Sequence, residues 1–264
     1  MTLYEFEFCK KSIISDISEI ADSASTTDEN KFKLIDRNDD IVYGSIGAST
    51  GTRTITFTFS SAKTVDRIIL KNINWKNFTI QYNSSTNFTP TQSYTNNTLT
   101  DMYIQVTKLT TITSIVISVT ETMTAGDVIR ASQIIFCESL YQPATTFASQ
   151  GNAEDGLVYL PFVSQKTNML SDGSFDKTFI KSGFGFQLKI ALLSTANQAS
   201  FKSVFDWNKR NSLIFIPEPD SSTWNGIYSY VHWNNALDIY NATSGFTING
   251  FNANIDLIPA AGIG

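Results

Sequence analysis

The feature that most restricts this chain is a period of two. In Thr54-Ile55-Thr56-Phe57-Thr58-Phe59 polar and apolar residues alternate strictly, which puts Ile55, Phe57 and Phe59 on one face of an extended strand. Further strand-like runs follow at Val65–Lys71, Phe78–Tyr82, Met102–Val106, Ser114–Val119 and Ser132–Cys137, with a turn expected over Asn72–Asn77. Short half-apolar strands between polar turns bury their apolar faces only against each other. The pattern therefore predicts a β-sandwich over residues 1–140 with little helix.

Residues 141–156 read as a connector, because Pro143, Gly151 and Gly156 stand among small polar residues, with Phe147 as an anchor. Beyond it the pattern changes. Gly183–Ile190 alternates again, and then Thr195 and Gln198 stand at capping-box spacing. Phe201, Val204, Phe205 and Asn208 follow at i, i+3, i+4 and i+7, which predicts a helix near 195–208 with one largely apolar face. Leu213–Pro217, Ile227–Val231 and Phe246–Phe251 are further strands. Residues 157–264 are thus expected to form a second, β-rich domain, a sandwich or split barrel with one packed α-helix; the fold class is mainly β.

Composition excludes several functions. Lys and Arg number 19 against 24 Asp and Glu, a formal charge of −5, and no basic cluster offers a footprint for nucleic acid. Charged residues make up only 16% of the chain, so polarity comes from Thr, Ser and Asn. No apolar run approaches the roughly 18–20 residues of a membrane helix, and no membrane insertion is expected. The first residues lack a basic start followed by an apolar block, so no secretory signal is expected. The two cysteines, Cys9 and Cys137, lie in apolar strand contexts and read as buried thiols, with a Cys9–Cys137 pairing as the alternative.

The run Val65–Tyr82, with a "V-D-x-I-x-L" strand followed by "F-x-I-x-Y", resembles the central strands of discoidin-like (galactose-binding-like, jelly-roll) β-sandwiches. Ala131–Glu138 resembles their closing strand. The strand–helix–strand order Phe184–Ile190, Thr195–Asn208 and Leu213–Pro219, closed by Phe246–Leu257, resembles a module of bacteriophage distal-tail and tail-hub proteins. That second resemblance implies a virion component without catalytic residues. Distal-tail proteins place the ring-forming module first and the sandwich second, whereas here the order is reversed, which fits a baseplate or fibre-adaptor part equally well.

Candidate chemistry is sparse. His232 is the single histidine, in Tyr230-Val231-His232-Trp233, and no G-x-S-x-G motif surrounds any serine, so no nucleophile–base pair is expected. Asp36, Asn38 and Asp40 present oxygens at alternating positions as a calcium loop begins. Ile41 stands where its glycine belongs and Gly47 where its glutamate belongs, so an ordinary acidic turn is expected and calcium is the alternative. Glu154–Asp155 and Glu218/Asp220 are the carboxylate pairs nearest to a glycosidase pattern, with solvated turns as the bland reading. Trp75, Tyr94, Trp224 and Trp233 are candidate glycan or interface contacts, since rings stack on sugars; the alternative is that they fill cores. Trp75 is placed best, in the 72–77 loop that the sandwich resemblance puts at an edge.

The resulting expectation is a non-enzymatic structural component of a phage tail or baseplate, made in the bacterial host cytoplasm and resident in the virion. It needs no cofactor and assembles with copies of itself and other tail proteins. The alternative is a carbohydrate-binding module for a host-surface glycan.

Overall fold

The computed structural model describes residues 3–4, 6–10, 13–23, 31–36, 42–44, 52–83, 92–142, 153–169, 175–193, 195–219, 224, 226–235, 238–244 and 247–260. In chain order the first strands are β1 (Leu3–Tyr4), β2 (Phe6–Lys10), β3 (Ile17–Asp22), β4 (Tyr43–Gly44), β5 (Arg53–Lys71) and β6 (Trp75–Tyr82). Then come β7 (Ser93–Tyr94), β8 (Met102–Thr122), β9 (Arg130–Ala131), β10 (Gln133–Cys137) and β11 (Ser139–Tyr141). The remainder are β12 (Ala153–Met169), β13 (Phe175–Leu193), helix α1 (Thr195–Asn208), β14 (Leu213–Pro217), β15 (Ser229–Trp233), β16 (Asp238–Ser244) and β17 (Thr247–Pro259). The fold is mainly β, with antiparallel ladders and one α-helix among the described residues.

Two units share the chain. One comprises Ser12–Ser139 with Asp220–Ile227; the other comprises Met1–Lys11, Leu140–Pro219 and Tyr228–Gly262. In the first, the sheet order is β10-β5-β8-β6-β7, with β3 also on β5. The runs expected as separate strands at 54–59 and 65–71 are one strand, β5, and those at 102–106 and 114–119 are one strand, β8.

The reason is a bend that both strands share. Phe136 on β10 lies opposite Ile68 of β5. Phe57 stands eleven residues earlier on β5, which is about 36 Å along a straight strand. Yet the Phe136 and Phe57 rings are 5.0 Å apart, edge to face. The sheet must therefore fold back on itself, and it does so where the β5–β8 register slips between Thr58 and Arg67 and where Ser60, Ser61 and Ala62 are exposed. The two halves face each other as a sandwich. Leu34, Tyr43, Ile129 and Ala131, from a 3-10 turn and around the β4–β9 ladder, belong to the same core.

In the other unit, the sheet order is β1-β12-β13-β17-β15-β14-β2-β11, with β16 on β17. Helix α1 forms where its periodicity placed it, with Phe201 and Val204 fully buried. Lys202 and Lys209 flank Asp206 on its exposed side, and the two ammonium groups hold that carboxyl below the usual range.

The domain boundaries expected at 1–140 and 157–264 need correction. β2 does not join the sandwich: Phe8 lies opposite Phe215 and Cys9 opposite Ile214 on β14. Phe6 and Phe8 are buried in an aromatic centre with Phe215, so hydrophobic burial draws the N-terminal strand to the far end of the sequence. The sandwich is thus inserted between β2 and β11, which are neighbours in the sheet. Of the expected connector 141–156, residues 153–156 open β12, whereas 143–152 lie outside the described residues. Cys9 and Cys137 are buried thiols, not joined as a disulfide.

Candidate functional site

The aromatic candidates do not form one platform. Trp75 opens β6 rather than lying in a turn, and it is fully buried. Register slips around Asn77 add a bulge, so Trp75 and Phe78 both face the core despite their odd spacing, with rings 5.4 Å apart. A ring with no accessible face cannot stack on a sugar, so Trp75 is corrected to a core residue. Tyr94 is half-buried, stacked at 4.7 Å on Phe78, and burial pushes its hydroxyl up to about 12. Trp224, 8% exposed, donates its indole N–H to the Ile227 carbonyl at 3.2 Å. Trp233, 7% exposed, fills the centre of the other unit, 5.1 Å from Phe201 and 5.2 Å from Phe205. Trp224 and Trp233 are therefore also corrected, from surface contacts to packed rings.

The other candidates are scattered. Asp36 accepts a hydrogen bond from Gln133 Nε2 at 2.7 Å, while Asn38 and Asp40 lie outside the described residues. His232 is half-buried on β15, opposite Ile258. Glu154 lies in β12 opposite Lys189, and Glu218 follows β14 with a φ of 52°, while Asp220 is outside the described residues. Among the described residues, no group of three or more His, Cys, Asp or Glu is arranged to hold a metal ion.

What the structure does bring together is one loop end of the sandwich, where the connections 72–74, 95–101 and 123–129 meet. The Ile73 N–H donates to the Thr100 carbonyl at 2.8 Å, and the Met123 N–H to the Asn74 carbonyl at 2.8 Å. Three asparagine side chains pin these loops. Asn74 Nδ2 donates to the Val128 carbonyl, and its Oδ1 accepts the Arg130 N–H, both at 2.8 Å. Asn97 Nδ2 donates to the Trp75 and Leu99 carbonyls. Asn72 adopts the left-handed conformation, φ 51°, which its short polar side chain tolerates, and its Nδ2 donates to Ser132 Oγ at 2.9 Å. Asp101 Oδ1 accepts the Asn72 N–H at 2.9 Å.

On this frame sit groups that face water. The Arg130 guanidinium lies 3.4 Å from the Asp127 carboxylate, with side chains 53% and 40% exposed. Leu99 and Val128 are exposed apolar residues on the same loops. Lys76 and Asn77 both donate to the Glu121 carboxylate nearby. The end thus offers a fixed fork of donors, an acceptor and a small apolar surface. Sequence reasoning looked for rings and missed this set; the one signal was the density of Asn in loops that join alternating strands.

No protein-family model matches the chain, and no curated protein matches it. Among solved structures, a mutant of chitosan-binding module 1 from a chitosanase/glucanase of Paenibacillus sp. IK-5 aligns at 15% identity and a TM-score of 0.42, over 49% of this chain and 99% of that one. Chitosan-binding module 2 of the same enzyme, in complex with chitotriose, aligns at 18% identity and a TM-score of 0.38, over 47% and 98%. A Ruminococcus gnavus GH29 fucosidase mutant in complex with fucose aligns at 18% identity and a TM-score of 0.37, over 46% of this chain and 25% of that one. Each is a partial likeness, and the ligands of those proteins are not thereby ligands of this one.

Proposed function

We propose that the chain is a non-catalytic binding protein whose inserted sandwich recognises a carbohydrate through its Asn-pinned loop end. The observation that carries this reading is the exposed Arg130–Asp127 pair beside Leu99 and Val128, on loops already fixed by Asn72, Asn74 and Asn97. A sugar presents hydroxyls that both donate and accept, together with an apolar C–H face. It is bound by pre-formed sites with a few convergent polar groups and apolar surface. Loops that are already ordered spare the ligand the entropic cost of ordering them. A glycan array followed by calorimetry tests the reading: the protein retains at least one glycan, and Arg130→Ala weakens it while leaving the fold unchanged. Retention of no glycan, or undiminished binding by Arg130→Ala, overturns it.

A second reading is assembly, with copies of itself and in a virion of the tail or baseplate kind. One observation favours it. The β12–β13 hairpin pairs from Ala153/Ile190 to Met169/Phe175, but β17 takes up β13 only from Phe186 onward. Among the described residues, the outer part of this ribbon has no third strand, and isolated two-stranded ribbons are marginally stable in water. Mass photometry separates the two readings, since defined oligomers support assembly and a monomer at all concentrations counts against it.

A further inference from the structure

Between β14 and β15 the chain returns to the sandwich with a short segment, described at Trp224, Gly226 and Ile227, that belongs to that unit. Its seat is Lys71, the last residue of β5, which is only 8% exposed. Lys71 Nζ donates to the Gly226 carbonyl at 2.9 Å and lies 5.5 Å from the centre of the Trp224 ring. The same ring packs 6.1 Å from Tyr103. Gly226 has a φ of +80°, and a Cβ there would come within 2.4 Å of Asp101 Oδ2 and 2.8 Å of Lys71 Nζ. Only glycine permits so close an approach.

The seat is held by one carboxylate that also serves the loop end. Asp101 Oδ2 accepts from Lys71 Nζ at 2.8 Å, while its Oδ1 accepts from the Asn72 N–H at 2.9 Å. We infer that Trp224, Gly226 and Ile227 form a strap whose docking on Lys71 is coupled through Asp101 to the order of the 72–74 and 95–101 loops. Lifting the strap deprives the buried ammonium of a carbonyl and a ring, leaves Asp101 as its remaining anchor, and exposes that ion pair to water. Water competes for the carboxylate, and the Asn72 bond loosens with it. By reciprocity, whatever orders the loops tightens the strap. The inference does not rest on the ligand proposed above, and its test uses none.

Amide hydrogen exchange on the full chain provides the test, with three variants. Trp224→Ala removes the ring; Gly226→Ala places a methyl group against Asp101 and Lys71; Asp101→Asn weakens the joint. In each, exchange is expected to rise about fivefold or more both in peptides spanning 226–233 and in those spanning 95–101, while 112–119 in the sheet stays unchanged. A rise confined to 226–233 in Trp224→Ala overturns the coupling, and no rise there overturns the strap itself. Should Gly226→Ala lose its fold, Trp224→Ala and Asp101→Asn decide the matter. Asp101→Asn that disturbs 95–101 but leaves 226–233 at the wild-type rate also overturns the inference.

Discussion

The sandwich and the helix-bearing unit solve the same problem with different side chains. The sandwich buries many β-branched aliphatics, among them Ile55, Ile80, Ile115, Ile117 and Ile134, with Phe57, Phe59 and Phe136 meeting where the sheet turns back. The other unit is centred on rings: Phe6, Phe8, Phe186, Phe201, Phe215 and Trp233 lie in one cluster. Branched side chains suit two pleated faces that stay a fixed distance apart. Rings span the less regular gap between helix and sheet, and most of them meet at edges and tilts. Phe8 lies 5.3 Å from Phe215 and 6.3 Å from Phe201. The consequence is a difference in sequence locality. Most of the sandwich core comes from one stretch, whereas the aromatic centre gathers residues from both ends of the chain.

The sharpest way to break this comparison is Phe8→Ala. The ring is fully buried and touches Phe6, Phe201, Phe215 and Trp233, so its removal is expected to cost about 3–5 kcal/mol. The cost should fall on the helix-bearing unit alone. Denaturant unfolding followed by exchange protection checks this: α1 and β14 lose protection at lower denaturant, while β5 and β8 keep theirs. Loss of protection in β5 and β8 at the same denaturant would mean that the N-terminal strand supports the sandwich after all.

A smaller effect sharpens the sandwich side. Asn83 follows β6 with a φ of 50°, and its Oδ1 accepts the Thr113 and Ser114 N–H groups at 2.8 and 3.0 Å, while its Nδ2 donates to the Thr111 carbonyl. It ties β6 to β8 beside the bend. Asn83→Ala loses those bonds and keeps the left-handed φ without the short polar side chain that tolerates it, for about 1–2 kcal/mol. Asn83→Gly restores the conformational freedom but not the bonds, so it is expected to recover only part of that loss. Equal stability of the Ala and Gly variants in thermal unfolding would show that conformation contributes nothing at this position.

How far the sequence could be read follows from the same contrast. The alternation at 54–59 and 78–82 and the 3.6-residue spacing at 201–208 are local signals, and strands and helix formed there. The bends in β5 and β8 left their mark only as mostly polar stretches at 60–64 and 107–111, which also resemble turns; backbone pairing across the bend decides between the two. The placement of β2 was not legible, because Phe6 and Phe8 suit either core and only pairing with β14 selects one. Trp75 was misread because β6 begins at it, where a turn was expected, and the bulge around Asn77 turns its ring into the core. The loop end was hidden for a different reason: its asparagines act on backbone groups from distant connections, and composition cannot show which amide meets which carbonyl.

The smallest expected effect concerns pH and belongs to the sandwich. Asp66 on β5 is buried, and desolvation pushes its carboxyl above the usual range. The Ser139 N–H at 2.8 Å, Arg67 and Lys108 pull the other way without prevailing, and Glu138 adds to the rise. The folded state therefore keeps this proton to a higher pH than the unfolded state, which releases it at about pH 4. Stability from this group is complete below that value and is lost as pH rises through the elevated folded pKa. Asp66→Asn cannot titrate, yet it retains an oxygen for the Ser139 N–H. Measured against the variant, wild-type sandwich stability should decline from acid toward neutral pH, with no such divergence in the protection of α1 and β14. Parallel pH profiles for the two proteins would place the carboxylate in an environment as well solvated as the unfolded chain, contrary to its burial between Arg67 and Ser139.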